Sequence, residues 1–150
     1  MTTRMIFAST ESMHRARALA DITAPSTPPT TIQPGTAVLI KGRPAISLTA
    51  SGNGTVTTSN PVPGVTSVTY SNGGASLAAG DASFAFDGTW KLAVTGAGTT
   101  TASEVEVFIT LATGALTLTD SGAAEVHYGW TDYPRDFRKA SGAAAVRIGA

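Results

Sequence analysis

Apolar residues recur at every second position in several short stretches of the chain. Val105, Val107, Ile109 and Leu111 alternate with Glu104, Glu106, Phe108 and Thr110. A period of two buries one face of a strand and leaves the other largely wet. Leu116-Thr-Leu-Thr alternates in the same way after a Thr113-Gly114 turn. Ala37 to Lys41, Ala45 to Thr49, Val65 to Tyr70 and Ala145 to Ile148 are further short strand-like runs. Turn chemistry separates them. Ser51-Gly-Asn-Gly and Ser71-Asn-Gly-Gly each contain Asn-Gly, and Asp87-Gly88 stands between the aromatic-bearing runs that hold Phe84 and Trp90. Such a pair between strands predicts a hairpin. About eight to ten short strands, with turns roughly every eight to twelve residues, predict a mainly β fold: a small single-domain β-barrel or β-sandwich.

The pattern changes near the N-terminus. Ser9 or Thr10 can cap a short helix with Glu11 in its first turn and Met13, Ala16, Leu19 and Ala20 on one face. A helix so short and so poor in large apolar residues needs a surface to dock on. Ala24 to Gly35 then carries four prolines in twelve residues, the composition of an extended linker. The expected organisation is an extended N-terminal arm with a short helix and Pro-rich linker over residues 1–34, and a β-rich domain over residues 35–150.

Composition narrows the function classes. The 150 residues include no cysteine, which removes disulfide frameworks, thiolate metal sites and thiol nucleophiles. Ten basic and ten acidic side chains cancel, a poor balance for binding a nucleic acid along the whole surface. Only 13% of residues are charged while 42% are hydrophobic, which argues for a folded chain with a largely neutral or partner-covered surface. No stretch approaches the roughly 18–20 apolar residues of a membrane-spanning helix, and the Met1 to Ala8 segment lacks the layout of a signal peptide. Synthesis in the cytoplasm is expected, with export as part of a particle left open.

Candidate chemistry is sparse. Val94-Thr-Gly-Ala-Gly-Thr imitates the start of a dinucleotide loop, but Thr101 occupies the third glycine position and a strand pattern follows. His14 and His127 are the two histidines. Asp132 and Asp136 follow His127 closely enough to consider a metal site, yet the spacing does not demand one. A surface histidine, with the carboxylates paired to Arg135, Arg138 or Lys139, is the simpler expectation. Glu104 and Glu106 fall on the wetter strand face, solvated or facing a basic partner. Asn53-Gly-Thr reads as a hairpin turn. No catalytic, cofactor-binding or metal-binding residue is assigned, and the chain is not expected to be an enzyme. The strongest feature is the segment 127–139, with Tyr128, Trp130, Tyr133 and Phe137 among five charges. Tyrosine, tryptophan and arginine concentrate at the energetic centres of interfaces. Tyr128, Trp130, Tyr133, Arg135, Phe137 and Arg138 are therefore candidate interface residues. The competing expectation is that Trp130 and Phe137 belong to the core and the charges to a solvated loop.

Taken in order, these motifs resemble the capsid cement, or head decoration, proteins of tailed bacteriophages. Pro34-Gly-Thr-Ala-Val-Leu-Ile-Lys-Gly looks like the family's opening strand. Gly80-Asp81 ahead of Phe84-Ala-Phe-Asp-Gly-Thr-Trp-Lys-Leu, Glu104 to Leu118, and Val126-His-Tyr-Gly-Trp followed by Ala145-Val-Arg-Ile look like its later strands and closing pair. The resemblance runs from about Gly35 to Ile148. The arm before Thr31 and the inserted Ser51 to Asn72 region depart from it. The resemblance implies a non-enzymatic β protein without cofactors that associates with itself as a homotrimer. It implies binding to the major capsid protein at three-fold positions on the outer surface of the expanded virion head, with no nucleic-acid or membrane partner. On this reading Arg4, Ile6, Phe7, Arg15, Arg17 and Leu19 belong to an arm lying along the capsid. The alternative is a β-sandwich binding module, carbohydrate-binding or tail/adhesin-associated, with Trp90 or Trp130 as a sugar platform. A hydrolase built around His127 has no companion motif.

Overall fold

A computed structural model describes residues 4–7, 15–52, 56–62, 65–70 and 77–149, with backbone paths alone for 4–7, 15 and the stretches within 56–70. The described residues form thirteen strands. The first seven are β1 (Arg4–Phe7), β2 (Arg15–Ala18), β3 (Ile22–Ala24), β4 (Ala37–Ile40), β5 (Arg43–Ser47), β6 (Val56–Val62) and β7 (Val65–Tyr70). The others are β8 (Asp81–Ala85), β9 (Gly88–Ala93), β10 (Glu106–Thr110), β11 (Leu116–Thr117), β12 (Glu125–Thr131) and β13 (Ala143–Ile148). A six-stranded sheet runs β1-β9-β13-β12-β10-β11, a five-stranded sheet runs β2-β8-β5-β4-β3, and β6 pairs with β7. Every strand pairing is antiparallel.

The mainly β expectation holds, in the form of two large sheets that do not close into a barrel, alongside the β6–β7 pair. One bridge outside the strands, Thr95 with Thr117, ties the β11 edge to the chain leaving β9. Between the sheets lies the main core. Leu39, Ile46 and Ala85 of the five-stranded sheet meet Trp90, Leu92, Val107, Ile109, Tyr128, Val146 and Ile148 of the six-stranded one. In β10, Val107 and Ile109 are buried and their neighbours are not, as the period of two requires. A second cluster, built on Val38, Ile40, Ala45, Ala82 and Phe84, covers the other face of the five-stranded sheet. Both faces of that sheet are therefore apolar, which is why β4 reads as a continuous apolar run rather than an alternating one.

Three expectations need correcting. Residues Arg15–Ala18 are a strand paired with β8, followed by a 3-10 turn over Leu19–Asp21, where the helix was expected to continue. Ser9 to His14, its proposed start, lie outside the described residues. Alanine, leucine and arginine are good helix formers, but the open edge of β8 offers backbone partners that a short helix lacks. Second, Leu19, Ile22 and Ile32 are buried in the second cluster and Ala24 in the first, so this part of the presumed arm is built into the domain. Third, Asp87-Gly88 does not turn a hairpin. β8 and β9 lie in different sheets, and the chain crosses between them there. The Trp90 indole N–H donates to the Asp87 carbonyl at 2.9 Å, and Gly149 packs so close to Phe86 and Asp87 that a side chain would not fit. The Thr113-Gly114 turn does join the paired strands β10 and β11.

Candidate functional site: the outer face of the six-stranded sheet

Residues opposed across antiparallel strands share a face. Glu106 of β10 stands opposite Trp130 of β12, Trp130 opposite Arg147 of β13, and Arg147 opposite Thr89 of β9. Phe108 stands opposite His127. The intervening Val107, Val146 and Trp90 point into the core, so this row occupies the outer face, open to solvent from Glu106 to Arg147 and buried at Thr89. A register shift between Val107 and Phe108 lets Tyr128 point inward while His127 and Trp130 remain outside.

The row is internally bonded. His127 Nδ1 lies 2.8 Å from Glu106 Oε1, and the His127 and Trp130 rings are 5.3 Å apart at a 54° tilt. Arg147 bridges Glu104 and Asp132, each at 3.4 Å. Glu104 reaches it from a left-handed backbone position, φ 63°. The loop that carries Glu104 is anchored to β12. Val105 N–H donates to the Thr131 hydroxyl at 2.9 Å, and that buried hydroxyl donates to the Ala102 carbonyl at 2.7 Å. Gly129 is required beneath the row, because a Cβ there would strike the Arg147 carbonyl oxygen. The His127–Glu106 contact and the Arg147 ion pairs are partly exposed, so they order side chains more than they stabilise the fold.

The structure separates the expected interface residues. Trp130 lies half-buried on the outer face. Tyr133 and Phe137 pack together at 5.3 Å beside it in sequence, and Lys139 Nζ sits 4.5 Å above the Tyr133 ring. Burial pushes the Tyr133 phenol upward; the Thr101 hydroxyl approaches it but makes no well-aligned hydrogen bond. Arg135 and Arg138 are exposed. Tyr128 is not a surface residue. It is 1% exposed, and its hydroxyl donates to the Ala45 carbonyl at 2.8 Å. Of the expected arm contacts, Leu19 is in the core and Arg17 packs against Phe86. The side chains of Arg4, Ile6, Phe7 and Arg15 lie outside the described residues, while the backbones of Arg4 and Phe7 pair with β9, that of Arg15 pairs with β8, and Ile6 falls at a register shift of β1.

Asp132 pairs with Arg147 rather than with Arg135, Arg138 or Lys139. Asp132 and Asp136 do not join His127: the described residues contain no cluster of three metal-ligating side chains. The segment after Val94 makes turns and leads to β10 without an intervening helix. The roles of Glu104, Glu106 and Arg147 escaped sequence reasoning, because their partners lie 43 and 21 positions away along the chain. The alternation that put both glutamates on the wet face was their one visible signal. A separate cleft of about 320 Å³ between Thr36, Leu92, Val94, Leu116 and Gly142 is lined by apolar, hydroxyl and backbone groups and holds no titratable side chain. Comparison with family models, curated proteins and solved structures found no match.

Proposed function

We propose that the chain is a structural protein of a tailed-phage virion. It decorates the outer surface of the expanded capsid at quasi-three-fold positions between capsomers of the major capsid protein, and stabilises the head. The carrying observation is the outer row, where Trp130, His127, Phe108 and Arg147 sit together on a rigid sheet over the main core. An aromatic anchor with an arginine, held in place before binding, is the composition of an interface centre. The motif order stated above supports the viral assignment. Association as a homotrimer belongs to the same proposal. Three linked copies multiply a modest contact through effective concentration.

Co-sedimentation with expanded heads lacking the protein tests it. Saturation at copy numbers matching three-fold sites is the expected result, and binding of a few copies or none removes the proposal. Trp130→Ala should lower head occupancy while leaving the circular dichroism spectrum unchanged. A second reading, a carbohydrate-binding module, is favoured by the partly exposed Trp130 ring alone, since Trp90 is 4% exposed. Quenching of Trp130 fluorescence by glycans, absent in Trp130→Phe, would select it.

A further inference from the structure

A second feature lies on the five-stranded sheet. Two guanidinium groups converge on the Phe86 ring, Arg43 Cζ at 4.8 Å and Arg17 Cζ at 5.5 Å from its centroid. Phe86 follows β8 directly, and β2 and β5 flank β8 on its two sides, so the arginines reach the ring from both neighbouring strands. Ala82 and Phe84 share a face with Phe86 by period and lie in the second cluster, so the group occupies the face turned away from the six-stranded sheet. Phe86 is half-buried against that cluster.

Neither arginine has a carboxylate within ion-pair distance among the described residues. Among the described residues the Arg17 guanidinium makes one hydrogen bond, from Nη1 to the Ala16 carbonyl at 2.9 Å. A guanidinium carries five N–H donors, and stacking on a ring uses none of them. The ring holds two planar forks in position with most of their donors unspent. Paired carboxylates fit such forks in a bidentate manner.

We propose that Arg17, Phe86 and Arg43 form a docking site for an extended acidic peptide segment of a partner protein. The peptide's carboxylates meet the two guanidiniums that the Phe86 ring holds. Charge complementarity favours a peptide over a nucleic-acid backbone. The chain is net neutral, and the adjacent Lys41 is already partnered by Asp21 at 3.9 Å. Two forks without a surrounding basic field satisfy a short acidic segment and fall short of the several phosphate contacts that hold a polyanion. This site does not depend on the capsid reading.

The test titrates hexaglutamate into isotopically labelled full-length protein at low ionic strength and follows the arginine side-chain N–H and Phe86 ring resonances. Shifts confined to Arg17, Arg43 and Phe86 are expected, with binding about tenfold weaker or worse in Arg17→Gln/Arg43→Gln. Arg43→Gln alone, at an exposed position, should weaken binding in the same direction with the fold intact. Unchanged affinity in that variant overturns the proposal. So do shifts spread over Lys91, Arg135, Arg138 and Lys139, absence of binding, or tighter binding of a single-stranded oligothymidylate at the same residues.

Discussion

Tyr128 joins the two sheets through a single side chain. Its ring fills the main core, and its hydroxyl reaches the Ala45 carbonyl of the opposite sheet at 2.8 Å. Burial holds the phenol well above its ordinary value of 10.0. A group whose affinity for its proton rises on folding contributes stability below the unfolded pKa and loses it as the pH climbs through the folded one. The urea midpoint should therefore be unaffected by the ionisation of this residue up to about pH 10 and fall above it. Tyr128→Phe should flatten that alkaline decline and cost about 1–2 kcal/mol at neutral pH, because it strips the Ala45 carbonyl of a donor. Chemical denaturation of both proteins from pH 8 to pH 11 checks both statements. By contrast, Arg147→Ala should cost about 1 kcal/mol or less in the same assay, since its ion pairs are partly exposed. Tyr128 was legible as an aromatic worth naming, but not as a core residue. Its inward turn depends on a register shift, which no local alternation announces.

At the scale of elements, the strands were easier to read than their partners. β4, β5, β7, β10 and β13 fall close to runs visible in the sequence. Asp87-Gly88 carries a strong hairpin signal, yet it serves a crossing between sheets. The local requirement for a glycine was legible, but the destination of the strand beyond it was not. Lys41-Gly42 joins the paired strands β4 and β5, with both residues at positive φ, 48° and 78°. That hairpin had no Asn-Gly or Asp-Gly to mark it. The tail of β13 closes the crossing. Gly149 has φ 77°, and a Cβ there would lie 2.5 Å from the Phe86 carbonyl oxygen. Gly149→Ala should lower stability by about 1–3 kcal/mol through strain and overpacking. A loss below the error of the denaturation assay would show that the crossing tolerates a side chain.

For the whole molecule, the described stretch from Arg15 to Pro34, expected as part of an extended arm, is a structural part of the domain. Leu19, Ile22 and Ile32 complete the second cluster, and β2 and β3 form both edges of the five-stranded sheet. A chain beginning at residue 35 should therefore fail to fold cooperatively, losing near-ultraviolet dichroism; a sharp thermal transition in that fragment would contradict this. Sequence alone determined the β class, the positions of most strands and turns, and the concentration of aromatic and charged residues in 127–139. Those properties follow from residue periodicity, turn chemistry and composition, which act within a few positions. Tertiary structure decided which strands pair and which face each aromatic takes. It also decided that Arg15–Ala18 extends a sheet, and that Glu104, Glu106, His127, Trp130 and Arg147 share one surface. These outcomes depend on register and on the burial of two apolar faces at once, contacts between residues far apart along the chain.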